Sequence, residues 1–380
     1  MSDHAVHAIV LVALAFAIAS AGCTDSADDA EGSLAPEEPA GPSLSTIDGI
    51  ANVDNGVFGA DAVWVSTSSK ADNFSTGETD AGIIRLDPTT GTATTILAGL
   101  DTEPTFVAFG DQVWAELDNR VIAFDTAGRE VAQVTVDASG ALVAGDRYLW
   151  ATGFAGGLSV IDPAAANVIA QLETVRFPVS PVEAFGHVWV PRATDGTVTV
   201  LDIATLGETT SLTIEVSPQM QTNATAVSEG STGAEVWITD LVGDLYAIEA
   251  EGPNLGAVRQ LPLERAINQV IPAGASTVLL PTWGQLALIV DSQTAEVIAE
   301  VEIETIPVRA VVDGGMAWVS GDGITETLTE IDVATGEVVE HHPAGLNRSN
   351  TTGPTTPFIV GDHIWVTNRG DDTIVVVDAG

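Results

Sequence analysis

Cysteines, cations and long apolar stretches are scarce in this chain, and each scarcity excludes something. The single cysteine, Cys23, cannot close an intramolecular disulfide. Lys and Arg number 12 against 53 Asp and Glu, for a formal net charge of −41 across 380 residues. Such a charge repels nucleic-acid phosphates and anionic lipid headgroups, so neither is expected as a partner; it suits a solvated acidic coat instead. The apolar run Ala8–Ala19 is too short to span a bilayer comfortably as a helix. Nucleotide-binding glycine loops, nucleophile elbows and zinc-ligand spacings are also missing. No catalytic residue, metal ligand or cofactor is therefore assigned from the sequence.

What is present at the N-terminus reads as an export signal. The run Ala8–Ala19 suits a signal core, and Ser20-Ala21-Gly22-Cys23 follows it. Small residues before a cysteine resemble the lipobox of bacterial lipoproteins, which implies lipidation of Cys23 and its exposure as the mature first residue. Ordinary cleavage after Ala21, leaving a secreted soluble protein with a free thiol, is the alternative. Residues 24–43 are rich in Asp, Glu, Pro, Gly and Ser and nearly empty of large apolar side chains. Such a segment cannot bury enough surface to offset its ordering entropy, so it is expected to be a disordered tether. The expected organisation is a signal peptide over 1–23, an acidic linker over 24–43 and one folded domain over 44–380. That places the protein outside the cytoplasm, at the cell surface or in the periplasm, touching the membrane only through its lipid anchor.

The folded part is a repeat. Pro357–Asp378 holds three short apolar runs, Phe358–Val360, His363–Thr367 and Thr373–Asp378, separated by Gly/Asp turns. β-Branched and aromatic residues between such turns mark strands of an antiparallel meander. The same grammar recurs every 40 residues or so, a spacing typical of propeller blades, at roughly that period. The second runs carry a tryptophan at one position: Trp64, Trp114, Trp150, Trp189, Trp237, Trp318 and Trp365, with Leu279 in its place in one unit. A large flat side chain at a fixed repeat position is expected to pack between neighbouring sheets. Most third runs end in Asp, as in Asp87-Pro88-Thr89-Thr90-Gly91 and Asp332-Val333-Ala334-Thr335-Gly336. An Asp that accepts turn N–H groups and a Gly that supplies positive φ make these turns structural. The last unit stops at Gly380 without a fourth run, whereas Leu44–Gly49 is a spare run ahead of the first unit. The expected fold is therefore all-β, a β-propeller of eight four-stranded blades whose N-terminal strand closes the last blade. Seven blades is the alternative.

Ile364-Trp365-Val366-Thr367-Asn368, followed by Thr373-Ile374-Val375-Val376-Val377-Asp378, resembles the YVTN-repeat β-propellers of bacteria and archaea. The Asp-Pro-Thr-Thr-Gly and Asp-Val-Ala-Thr-Gly turns are similar to theirs, and the resemblance covers the chain beyond the linker. It implies an architecture but no shared catalytic set. Related streptogramin lyases use histidine and glutamate with a divalent metal, yet His187 and His363 are expected on the opposite face from His341 and His342. Quinone-dependent propeller enzymes carry similar Asp turns, but with the tryptophan after the turn in the fourth strand. An eight-bladed scaffold lipoprotein of envelope assembly is the other alternative to a plain binding module.

A binding role is expected to use one face. Second-to-third turns and blade-to-blade connections share an end of the ring, the top, and they vary in length and chemistry, as binding loops on rigid scaffolds do. Arg192, Trp283, Arg309 and Arg369 are the top-face candidates for an envelope protein or small-molecule ligand, with the chain itself a monomer. Arg369-Gly370-Asp371 falls in an ordinary repeat turn. Asp72, Glu78 and Asp80 in the loop Ser68–Gly82 lack calcium-loop spacing.

Overall fold

The computed structural model describes residues 45–51, 53–67, 81–117, 119–136, 140–153, 157–172, 180–192, 196–213, 221–230, 233–240, 244–261, 263, 265–304, 306–322, 327–344, 354–368 and 372–379. All belong to the unit Pro42–Gly380. Regular structure among them is entirely β, in eight antiparallel sheets of four strands each. Blades 1 to 7 take their strands consecutively, from residues 53–100, 105–135, 142–172, 182–213, 221–261, 271–302 and 306–343. Blade 8 takes Pro354–Val360, His363–Asn368 and Thr373–Asp378, and its outer strand is Ser45–Asp48 from the other end of the sequence. Ser45 pairs with Val376 and Asp48 with Thr373. The spare N-terminal run thus removes the edge that the short last unit would leave. First strands touch between blades 1 and 2, 2 and 3, 4 and 5, 5 and 6, 6 and 7, 7 and 8, and 8 and 1, so they are innermost.

Burial explains the residue pattern. Second and third strands are covered on both faces, so Ala62–Thr67 is buried throughout and reads as a continuous run rather than an alternating one. Outer strands face water on one side, and Asn167–Leu172 alternates exposed and half-buried accordingly. Among the described residues, apolar side chains gather into eight clusters between sheets. Trp64 lies with Val113, Ala115 and Phe124 of blade 2, and Trp114 with Leu149, Ala151 and Ile161 of blade 3. Trp150 meets Val188 and Val190 of blade 4, and Trp189 meets Val236 and Ile248 of blade 5. Trp237, Trp318 and Trp365 repeat the contact with blades 6, 8 and 1. Leu279 fills the position in blade 6, facing Ala317 and Val319 of blade 7. The repeated tryptophan is therefore the side chain with which one blade contacts the next.

The Asp turns are built as expected. Asp87 Oδ1 accepts the N–H groups of Thr89 and Thr90, both at 2.9 Å, and Asp332 Oδ1 accepts those of Ala334 and Thr335. Gly91, Gly128 and Gly336 follow with φ of 68°, 76° and 71°. Ala166, Leu206 and Ala295 take the same left-handed position in other blades without being glycine. Blade 5 departs from the formula, closing a longer turn with Gly256 N–H donating to Glu249 O at 2.8 Å.

Candidate functional site

In blade 6 the connection arriving from blade 5 lies against the second-to-third turn. Trp283 N–H donates to Ala266 O at 2.9 Å and Asn268 N–H to Pro281 O at 2.8 Å. The Asn268 side-chain amide then reaches Pro307 O at 3.0 Å, on the first strand of blade 7. Gln285, in the same turn as Trp283, donates its amide to Glu304 O at 2.9 Å. These bonds fix the turn of blade 6 beside the opening residues of blade 7. Trp283 stands there 52% exposed, with Ile306 at 42%. Arg309 is exposed on the same first strand, just past a register shift between Pro307 and Arg309. Arg265 is exposed nearby in the chain and pairs with Glu300 at 3.4 Å. Blade 6 is also the blade whose packing tryptophan is replaced by Leu279.

Arg192 is elsewhere, in blade 4, half-buried at the end of the second strand, where its N–H closes the turn onto Thr197 O at 2.9 Å. Of the four top-face candidates, Trp283 and Arg309 thus sit on adjoining blades and Arg192 two blades from the first. Arg369 and Cys23 lie outside the described residues.

A buried polar belt escaped the sequence reading. The residue two after each tryptophan is Ser66, Glu116, Thr152, Thr239, Ser320 or Thr367 in six blades, all of them buried. Several first strands shift register near their start, at Val53/Gly56 and Pro354/Pro357 for instance, which frees backbone groups inside the ring. The belt satisfies them, as buried polar groups require. Ser66 Oγ accepts Asn55 N–H at 3.1 Å, Thr152 Oγ1 accepts Ala141 N–H at 2.7 Å, and Thr367 Oγ1 donates to Asp54 O. Glu116 accepts Gly140 N–H at 3.1 Å; burial raises its pKa, opposed by this bond and by the Thr105 hydroxyl. Asn55 and Ser66 both donate to Glu103, while Thr356 of blade 8 donates to Asn55. The polar residue two positions after six of the seven repeat tryptophans was the signal available for this belt.

The histidines divide as strand alternation demands. His187 Nδ1 lies 2.9 Å from Phe185 O, in the first-to-second turn of blade 4. His341 is exposed and His342 buried on the outer strand of blade 7. Among the described residues one group of three metal-ligating side chains converges, Glu330, Glu340 and His342.

Eight four-stranded blades closed by an N-terminal strand define a β-propeller. The chain matches no protein-family profile and no curated protein in sequence. In fold it is similar to the computationally designed Ika8 protein, with a TM-score of 0.66 and 14% identity over 87% of this chain and 97% of that one. It is likewise similar to BamB from Moraxella catarrhalis, with a TM-score of 0.62 and 14% identity over 88% of this chain and 98% of that one. At such identity the likeness is one of fold.

Proposed function

We propose that the protein is an exported, lipid-anchored propeller of YVTN-like type that binds a protein partner through its top face and catalyses no reaction. The observation that carries this reading is the exposure of Trp283 on blade 6 and of Ile306 and Arg309 on the first strand of the adjoining blade 7. An exposed tryptophan, isoleucine and arginine on adjoining blades match the residue types enriched in interface hot spots. The hydrogen bonds around Asn268 and Gln285 hold the patch in place before any partner arrives, which lowers the ordering cost of association. Arg192, on blade 4, is a further candidate on this reading. Acylation of Cys23 and the 24–43 tether would hold the ring clear of a membrane.

The test compares wild-type protein with a Trp283→Ala/Arg309→Gln variant in crosslinked native-envelope captures. The partner's recovery should drop at least tenfold in the variant while its melting temperature stays within about 1 °C, because both side chains are exposed. Equal recovery would place the binding surface elsewhere; Arg192→Gln and Arg369→Gln then identify whether it is still the top. Cys23→Ser should release the protein from membrane fractions, and unchanged fractionation would refute the anchor.

The second reading, a scaffold lipoprotein of envelope assembly, rests on the eight-blade count and Cys23. It is distinguished by whether the captured partner belongs to a stable envelope complex.

A further inference from the structure

We infer that Glu330, Glu340 and His342 form a binding site for one divalent transition cation of the zinc class, on the outer half of blade 7. The three come from its third and outer strands. Glu330 is paired directly with Glu340, and Leu328 directly with His342. Residues two apart on a strand share a face, so both carboxylates and the imidazole point the same way. That face is the one turned towards blade 8, since Leu328 packs with Ile364 and Val366. One ligand atom from each of the three lies within 4.8 Å of the others.

Two carboxylates directly opposite on neighbouring strands repel each other, and a positive charge between them is what makes the arrangement tolerable. Among the described residues, His342 lies against both, with Nε2 at 2.9 Å from Glu330 Oε2 and Nδ1 at 3.8 Å from Glu340 Oε1. A divalent ion held between them would supply that charge. Nε2 and Glu330 Oε2 are hydrogen-bonded at 2.9 Å, close enough to become neighbouring ligands of one ion at about 2.1 Å, whereas Glu340 faces Nδ1 and has to turn its carboxylate towards Nε2 to complete the set. One neutral imidazole and two carboxylates neutralise a divalent ion and leave positions for water. Imidazole among the donors favours zinc, nickel or cobalt over calcium and magnesium.

The site is built rather than incidental. The His342 side chain is 3% exposed and that of Glu330 13%, so neither is a free surface group. The His342 ring packs at a 35° tilt against Trp318 with centroids 5.3 Å apart, which restricts its orientation. Glu340 is 47% exposed and can swing onto an ion entering from solvent. A bound ion would tie the two outermost strands of blade 7 together. No ligand spacing along the sequence marks this site, because Glu330 and Glu340 are brought together by strand pairing.

The experiment is calorimetric titration of the full chain, stripped with chelator, with Zn(II), and with Co(II) followed by visible absorption. Binding of one ion per chain is expected, with a rise in melting temperature. Glu340→Gln, whose side chain is half exposed and leaves the core intact, should weaken binding at least tenfold. Glu337→Gln, an exposed acid on the same strand, should leave it unchanged, and His342→Asn should abolish the Co(II) bands. Absence of a saturable single site would overturn the inference. So would an affinity that Glu340→Gln leaves unaltered, which would assign the ion to another part of the acidic surface.

Discussion

The indole N–H of Trp150 donates to Glu183 Oε2 across 2.9 Å, joining the second strand of blade 3 to the first strand of blade 4. In blades 1 and 4 the equivalent indoles are satisfied inside their own blade, by Gly59 O and Ala184 O. In blade 5 the acceptor is Glu235, two residues back on the same strand and itself held by Arg259 at 2.9 Å. The third interface therefore has a polar tie that these others lack. Glu183→Ala should cost about 1–3 kcal/mol by leaving a buried donor unpaired, and Glu183→Gln, which keeps an acceptor, less. Coincident denaturation midpoints for wild type and Glu183→Ala would show that the bond adds nothing.

Closure predicts an asymmetry between truncations. Removing residues 1–43 should leave the melting temperature unchanged. Removing five more, through Asp48, deletes the outer strand of blade 8 and exposes Thr373–Val376 as an edge. That loss should cost about 3 kcal/mol or more, in the range of severe core lesions. The two truncations melting together would contradict the role of this strand.

The Asp turns predict acid sensitivity. Backbone N–H groups of Thr90 and Thr89 lower the pKa of Asp87, and the Arg129 side chain and N–H lower that of Asp125. Thr205 and Thr294 do the same for Asp202 and Asp291 through N–H and hydroxyl. Each folded value is below the ordinary 3.8, so the unfolded chain binds protons first as pH falls. Their stabilisation is complete above about pH 5 and is lost on descending through the folded values. A variant with all four changed to Asn should show a flatter loss of stability between about pH 5 and 2.5; an identical profile would contradict the assignment.

Glu116 runs the other way. Burial raises its folded pKa above the ordinary 4.5, so ionising it costs stability as pH rises through that window. Glu116→Gln should raise the melting temperature at pH 7, with the gain vanishing near pH 4. A loss at pH 7 would mean that the charged bond to Gly140 outweighs desolvation.

Left-handed turn positions predict opposite signs for two small substitutions. Ala166 sits at φ 50° without being glycine, and Ala166→Gly should stabilise by about 0.5 kcal/mol, the left-handed penalty less the cost of glycine's added freedom. Gly336 sits at φ 71°, and a Cβ there would lie 2.4 Å from that of Ala299. Gly336→Ala should cost about 2 kcal/mol or more. Chemical denaturation of both variants checks the pair; a shared sign would count against the turn geometry.

The fold was legible because each blade repeats its own local rules. Apolar runs between Gly/Asp turns dictate strands, and a tryptophan at constant spacing marks an element that must be covered by a neighbour. The spare run at Leu44 and the missing one at Gly380 implied closure, since an unpaired edge is costly wherever it falls. What depends on register was not legible. A shift between Glu330 and Ile331 separates two directly paired stretches of blade 7, and the stretch before it brings Glu330 opposite Glu340. The same holds for the first-strand shifts that give Ser66 and Thr367 their backbone partners. Side-chain pattern determines which residues a strand buries, but a one-residue offset between strands changes every neighbour. Only the packed sheets decide that offset, and with it the groups that meet at Trp283 and His342.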